Sequence, residues 1–303
     1  MTARPSAAGM EIKMNINGYT RTCGLIGNPV EHTMSPAIHN TLAEAMGENL
    51  VYVPFHVPEG AVKQAVEGAL ALNLLGCNVT VPYKSAVLPY LKEIDPLAEK
   101  IGAVNTLVRT EGGFKGYNTD MPGLYRAMCN DGVALEGEKA LILGAGGVAR
   151  AVAMLLAQKK AAQVFILNRT VDKAGKVAEE VNGYAGRHFA EAMALSDYSR
   201  LPEGERYLCI QATNVGMYPR TDETVIEDGA FYQKIHTGYD LIFNPPKTRF
   251  MELTEQAGGR AFNGLKMLLW QGVIAYELWT GREVENELAE RAYAAMKQAM
   301  GIE

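Results

Sequence analysis

The ten residues Leu141-Ile142-Leu143-Gly144-Ala145-Gly146-Gly147-Val148-Ala149-Arg150 restrict the fold of this chain more than any others. The apolar run reads as a buried strand, the glycines as a tight turn, and Val148 to Gln158 as a helix. Gly144, Gly146 and Ala149 fit G-x-G-x-x-A in that context. The first glycine permits the turn, the second lets backbone approach a pyrophosphate, and the small third residue lets the helix pack closely on the strand. Backbone N–H groups at the helix start then hold phosphates, so Gly144, Ala145, Gly146, Gly147 and Val148 are expected to bind a dinucleotide.

Strands alternate with helices elsewhere. Thr22 to Gly27, Leu50 to His56, Leu74 to Thr80 and Ala103 to Val108 read as strands, and the segment Glu59 to Leu70 behind Pro58 as an amphipathic helix. After the turn-rich Gly116-Tyr117-Asn118-Thr119-Asp120, a second series places strands at Ala140 to Leu143, Val164 to Leu167, Leu208 to Ala212 and Tyr239 to Phe243. Leu265 to Trp279 and Glu285 to Met300 read as core helices. The alternation predicts an α/β protein with largely parallel sheets covered by helices.

With 303 residues, 48% of them apolar, the chain can fill two cores. A net charge of −5 and no block of Lys or Arg argue against nucleic acid or an anionic membrane as partner. Cys23, Cys77, Cys129 and Cys209 lie far apart without metal-ligand spacing, which predicts a reduced, cytoplasmic protein with no metal. No apolar run approaches the roughly 20 residues of a membrane span. Residues 1 to about 17 read as a leader, with Met10 and Met14 as alternative starts. A monomer and a homodimer both fit the composition.

The strand after the glycine turn's helix ends in Leu167-Asn168-Arg169-Thr170, where NAD-binding units carry an acid for the ribose 2′-hydroxyl. An arginine flanked by Asn and Thr suits a 2′-phosphate instead, so Asn168, Arg169 and Thr170 favour NADP. Thr170 is at the same time a compatible helix N-cap.

Four polar clusters stand beside glycine or proline. In Gly76-Cys77-Asn78-Val79-Thr80-Val81-Pro82-Tyr83-Lys84, alternation puts Val79 and Val81 on one strand face and Asn78 and Thr80 on the other, with Lys84 just past the strand end. Lys84 there is either catalytic or an ordinary surface cation. The loop Gly27 to Pro36 presents the hydroxyls of Thr33 and Ser35 before a helix, suiting a carboxylate ligand or a plain N-cap by Ser35. Ala103-Val104-Asn105-Thr106 and Asn118-Thr119-Asp120 complete the set, Asp120 being also a candidate cap of a helix from Pro122.

Taken together and in order, these segments resemble the shikimate dehydrogenases over nearly the whole chain. The matching motifs are His32-Thr33-Met34-Ser35-Pro36, Asn78 to Lys84, Gly102 to Thr106, Asn118 to Asp120, the Gly-Ala-Gly-Gly turn and Asn168-Arg169-Thr170. Gly216-Met217, Asp240 to Phe243, Thr248 and Gly264 to Gln271 follow. The resemblance implies NADPH-dependent reduction of 3-dehydroshikimate in aromatic amino acid (chorismate) biosynthesis, acting on a small molecule. It also implies a two-domain architecture: a substrate domain over 18–121, completed by the helices of 265–303, and a Rossmann NADP-binding domain over 122–264. The active site would be the interdomain cleft, which could close over its ligands.

By the same resemblance, Lys84 and Asp120 flank the reacting carbon, and Thr33, Ser35, Thr80, Asn105, Asp120, Phe243 and Gln271 line the substrate site. Leu241 and Gly264 join the cofactor side. Hydride delivery to a ketone builds oxyanion character and requires a proton, so a cation and a proton carrier belong there. Either Lys84 or Asp120 could move the proton, and family precedent favours Lys84. Three positions depart from the family pattern: Thr33 for serine, Phe243 for tyrosine, and Gln211 for asparagine, the last without clear consequence. The competing readings are an NAD-linked quinate/shikimate dehydrogenase, a non-catalytic sensor of shikimate or NADP, and another NADP-dependent Rossmann reductase.

Overall fold

The computed structural model describes residues 16–302. Nearly all of the expected leader, with Met10 and Met14, lies outside the described residues.

Two six-stranded sheets form the framework. The first contains β1 (Arg21–Gly27), β2 (Leu50–His56), β3 (Gly76–Val79), β4 (Glu93–Ile94), β5 (Thr106–Thr110) and β6 (Gly113–Tyr117), in the order β2-β1-β3-β5-β6-β4. Strand β5 runs against both its neighbours, and the other pairings are parallel. Helices α1 (Ser35–Ala45), α2 (Val62–Ala71) and α3 (Pro96–Ile101) belong to this part of the chain.

After α4 (Asp120–Asn130) the second sheet begins. It is built from β7 (Lys139–Leu143), β8 (Gln163–Asn168), β9 (Ala190–Ala194), β10 (Tyr207–Gln211), β11 (Ile235–Asp240) and β12 (Arg260–Phe262). Its order, β12-β11-β10-β7-β8-β9, is parallel throughout and is the doubly wound dinucleotide-binding order. Its helices are α5 (Gly147–Gln158), α6 (Val171–Ala185), α7 (Gly229–Gln233) and α8 (Arg249–Gln256). Leu141, Ile142, Leu143, Ile166, Leu167, Cys209 and Ile210 are all fully buried, which explains their unbroken apolar runs: both faces of a parallel sheet are covered. The chain then returns through α9 (Leu265–Thr280) and α10 (Asn286–Ala299), which pack against α1.

Helix α4 lies along α9. A Cβ on Gly123 would fall 2.6 Å from the backbone nitrogen of Gln271, so the absent side chain is what lets the two helices meet. Arg126 fixes the pair, donating to both carboxylate oxygens of Glu277 at 3.0 Å while its guanidinium sits 4.2 Å from the centre of the Trp270 ring. At the other end, Lys266 donates to Asp131 at 2.6 Å, and the Tyr239 hydroxyl donates to the same carboxylate at 3.1 Å.

Several expected boundaries shift. Strand β3 stops at Val79, so Val81 does not share its face: Val79 is 1% exposed and Val81 66%. The backbone has turned by then, with the Tyr83 N–H donating to the Thr80 carbonyl at 2.9 Å. Ala103 to Asn105 precede β5 as loop, and Leu241 to Phe243 lie beyond the end of β11. Both corrections place polar or cleft-facing residues on turns that leave the sheet.

Candidate active site

Lys84 is presented by a short turn whose anchor is the neighbouring Tyr83. That ring is buried and its hydroxyl donates to the Val57 carbonyl at 2.8 Å. The Lys84 carbonyl in turn accepts the Val104 N–H at 2.8 Å, tying the turn to the loop that carries Asn105. From there the Lys84 ammonium reaches Asp120 at 2.6 Å. Their side chains remain 33% and 21% accessible, so the pair is open to a ligand.

Asp120 is the first residue of α4 and does not cap it. Its second carboxylate oxygen accepts the Asn105 amide at 2.8 Å, and its position at a helix N-terminus favours the negative charge. Asn105 is held from behind: its carbonyl oxygen accepts the Thr119 N–H at 2.8 Å and the Thr106 hydroxyl at 3.0 Å. The Asn78 amide donates to the backbone carbonyl of Asn105 at 3.2 Å and to the Thr106 hydroxyl at 3.1 Å, and accepts the Tyr52 hydroxyl at 2.8 Å. This buried chain of partners fixes which way Asn105, and hence Asp120, can point.

On α1, Ser35 is buried and its hydroxyl makes no capping bond; instead its N–H donates to the Thr33 hydroxyl at 3.2 Å. The N-cap alternative for Ser35 is thus not realised. One helical turn on, His39 is fully buried and stacks on Tyr52 with ring centres 4.2 Å apart. Neither of its ring nitrogens has a hydrogen-bond partner among the described residues, and burial pushes its pKa down to about 3, leaving the imidazole neutral.

A cleft of about 340 Å³ gathers these groups. Thr33, Ser35, Thr80, Lys84, Asn105 and Asp120 line it on the side of the first sheet, Leu241, Phe243 and Gly264 on the side of the second, and Gln271 from α9. Asn78, His32, Met34, Met267 and Leu268 complete much of its wall. Sequence reasoning named these five within its motifs but gave them no part in the site, because nothing in such residues separates a cleft wall from a core. Tyr52 and the pairing of Thr106 with Thr119 were also missed, since they act only through contacts between distant segments.

The glycine turn lies at the C-terminal ends of the second sheet, where β7 and β10 diverge, and is not part of the cleft lining. Gly144 adopts φ +113°, and a Cβ there would come within 2.9 Å of the Thr213 methyl. Gly146 and Gly147 are different. A Cβ on either would meet no atom within 4 Å among the described residues, and neither has a positive φ, so no contact among those residues demands glycine. What remains is room for a phosphate over the start of α5, and Ala145 and exposed Val148 border it. At the end of β8, Arg169 and Thr170 are exposed, and Asn168 donates to the Thr170 carbonyl at 2.8 Å. Thr170 precedes α6 without a side-chain capping bond, and Arg169 forms no ion pair among the described residues. These residues fit a 2′-phosphorylated dinucleotide. Among the described residues, no cluster of His, Cys, Asp or Glu could hold a metal, and no helix is long and apolar enough to cross a membrane.

Comparison with known proteins agrees with this arrangement. Residues 25–107 match the shikimate dehydrogenase substrate binding domain, residues 128–201 the shikimate/quinate 5-dehydrogenase family, and residues 264–300 the shikimate 5′-dehydrogenase C-terminal domain. The chain is 39% identical to the shikimate dehydrogenase (NADP(+)) of Carboxydothermus hydrogenoformans over 95% of its length and 99% of the relative's. The crystal structure of shikimate 5-dehydrogenase from Listeria monocytogenes in complex with shikimate and NAD is similar at a TM-score of 0.84 and 34% identity, covering 92% of this chain and 98% of that one. Ligand-free 5-ketofructose reductase of a Gluconobacter strain is similar at 0.81 and 29%, covering 93% and 99%. With matches along three consecutive segments and a relative of this identity aligned nearly end to end, the chain belongs to the shikimate dehydrogenase family.

Proposed function

We propose that this protein catalyses the reversible, NADPH-dependent reduction of 3-dehydroshikimate to shikimate. The observation that carries the reading is the Lys84–Asp120 pair, braced by Asn105, in a cleft whose opposite wall comes from the dinucleotide-binding sheet. When bound, NADPH supplies the hydride. Lys84 places its positive charge beside the carbonyl oxygen, stabilises the negative charge that develops there and donates the proton that completes the alcohol. Asp120 holds the ammonium in place and accepts from a substrate hydroxyl. Thr33 and Ser35 hold the carboxylate, while Thr80, Asn105 and Gln271 bind ring hydroxyls. Phe243 offers a ring face rather than a hydroxyl, which leaves the carboxylate to the other donors.

On the cofactor side, Gly144 to Val148 hold the pyrophosphate, Asn168, Arg169 and Thr170 the 2′-phosphate, and Leu241 and Gly264 border the nicotinamide. The unpaired thiols of Cys23, Cys77, Cys129 and Cys209 suit a reducing cytoplasm, where the enzyme would act as a monomer or homodimer. The test is a set of steady-state rates for shikimate and quinate, each with NADP and NAD, with 5-ketofructose and NADPH alongside. Shikimate with NADP should turn over fastest. Faster NAD-linked quinate oxidation, or preferred reduction of 5-ketofructose, would replace the assignment.

A further inference from the structure

Behind the cleft wall lies a carboxylate with no part in the chemistry above. Asp240, the last residue of β11, is fully buried, and no cation pairs with it among the described residues. One of its oxygens accepts the Thr248 hydroxyl at 2.6 Å; the other accepts the Ile242 N–H at 3.0 Å and the Gln211 amide at 3.4 Å. Burying a carboxylate without a cation is costly, so the position needs a reason. A carboxylate accepts from all three; an asparagine could keep the Ile242 and Gln211 contacts only by turning its NH₂ toward the Thr248 hydroxyl, which would then have to accept.

The donors belong to three separate segments, one of which lines the cleft. Ile242 stands between Leu241 and Phe243, which both line it. Thr248 starts α8. Gln211 ends β10 and shapes the next loop: its carbonyl accepts the Thr213 N–H at 2.6 Å and the Thr213 hydroxyl at 2.7 Å, and its amide donates to the Val215 carbonyl at 3.2 Å. The methyl of Thr213 is the atom that excludes a side chain from Gly144. One carboxylate therefore connects the wall of the cleft with the loop beside the glycine turn.

We propose that Asp240 is a positioning residue, which sets Leu241 and Phe243 against the loop from Thr213 to Val215 so that the substrate wall and the cofactor turn keep one register. The role rests on the function proposed above. Its test compares Asp240→Asn, Thr248→Val and Thr248→Ser with the unaltered protein by kinetics, by calorimetric binding of NADP and of shikimate, and by crystallography of Asp240→Asn. In Asp240→Asn and Thr248→Val, kcat/KM for shikimate should fall about 10- to 100-fold, as for a displacement on the order of 1 Å near the reacting atoms. Phe243 should be displaced in the crystal, while NADP still binds one per chain. Thr248→Ser, which keeps the hydroxyl, should retain the kinetics of the unaltered protein.

Unchanged kinetics in Asp240→Asn, or an equal loss in Thr248→Ser, would overturn the proposal. So would a fall in NADP stoichiometry in Thr248→Val that matches its fall in rate, because the loss would then come from unfolded protein and not from a displaced wall. If Asp240→Asn does not fold, the Thr248 pair decides. An unaltered protein inactive toward shikimate would overturn the functional reading alone, and the position of Phe243 in Asp240→Asn would still decide this one.

Discussion

His39 should make the fold acid-sensitive, and the size of the effect follows from its burial. In the unfolded chain an imidazole takes up a proton near pH 6.5, whereas in the fold burial holds His39 neutral to about pH 3. Above pH 6.5 both states are neutral and nothing is gained or lost. Below it only the unfolded chain binds the proton, so stability falls as pH falls, by about 1.4 kcal/mol per unit. Between pH 6.5 and 5 that is about 2 kcal/mol, a large share of a typical folding free energy of about 5–15 kcal/mol.

The whole-protein curve hides this, because Asp240 works in the opposite sense. Its pKa is pushed up to about 6 by burial, so the fold binds its proton before the unfolded chain does, and stability rises by about 1.4 kcal/mol as pH falls from 7 to 5. The assay is therefore a difference: urea unfolding of the protein and of His39→Gln at pH 7, 6 and 5 and fixed ionic strength. The constant cost of losing the Tyr52 stack cancels between pH values, and the His39 contribution remains. A difference that stays flat, within about 0.5 kcal/mol, would show that His39 protonates normally in the fold and would refute the argument from burial.

Three substitutions test the cleft. Lys84→Met should lower kcat about 100- to 10,000-fold, the usual worth of a positioned proton carrier, while calorimetry still detects shikimate binding. Gly123→Ala puts a methyl 2.6 Å from the Gln271 nitrogen; forcing α4 from α9 should cost about 1–3 kcal/mol in thermal or urea unfolding and reduce kcat, since Asp120 and Gln271 move apart. Arg169→Ala should raise the KM for NADP about 10- to 100-fold and leave that for NAD nearly unchanged, as loss of a charge-assisted phosphate contact of about 1.5–3 kcal/mol requires.

The second sheet was the more legible half of the fold. Strands buried on both faces must be continuously apolar, so Leu141 to Leu143 and Val164 to Leu167 declare themselves. Strands β6 and β9 do not, because Gly-Phe-Lys-Gly-Tyr and Ala-Glu-Ala-Met-Ala have weak strand preference and are ordered by the neighbours they pair with. In the cleft, residue types and motif order announced Lys84, Asn105 and Asp120. The distances between them, across 36 residues from Lys84 to Asp120, depend on a turn, a loop and a helix start meeting in space. Gln211 shows the opposite limit: it looked inconsequential in sequence, yet it is fully buried and each end of its amide is occupied.

Helix α4 gives the geometry one further property. It begins with Asp120 and ends where Lys266 and Tyr239 hold Asp131, so the carboxylate of the cleft and a contact with β11 sit at opposite ends of one rod. Eleven residues make that rod about 16 Å long, and a tilt of about 5° about its far end carries the near end roughly 1.4 Å. Directed away from Lys84, such a displacement opens the 2.6 Å contact to about 4 Å, beyond hydrogen-bonding range. The Lys84–Asp120 contact thus reports the orientation of α4: a small tilt of the helix away from the Lys84 turn parts the two charges before either side chain has changed its own conformation.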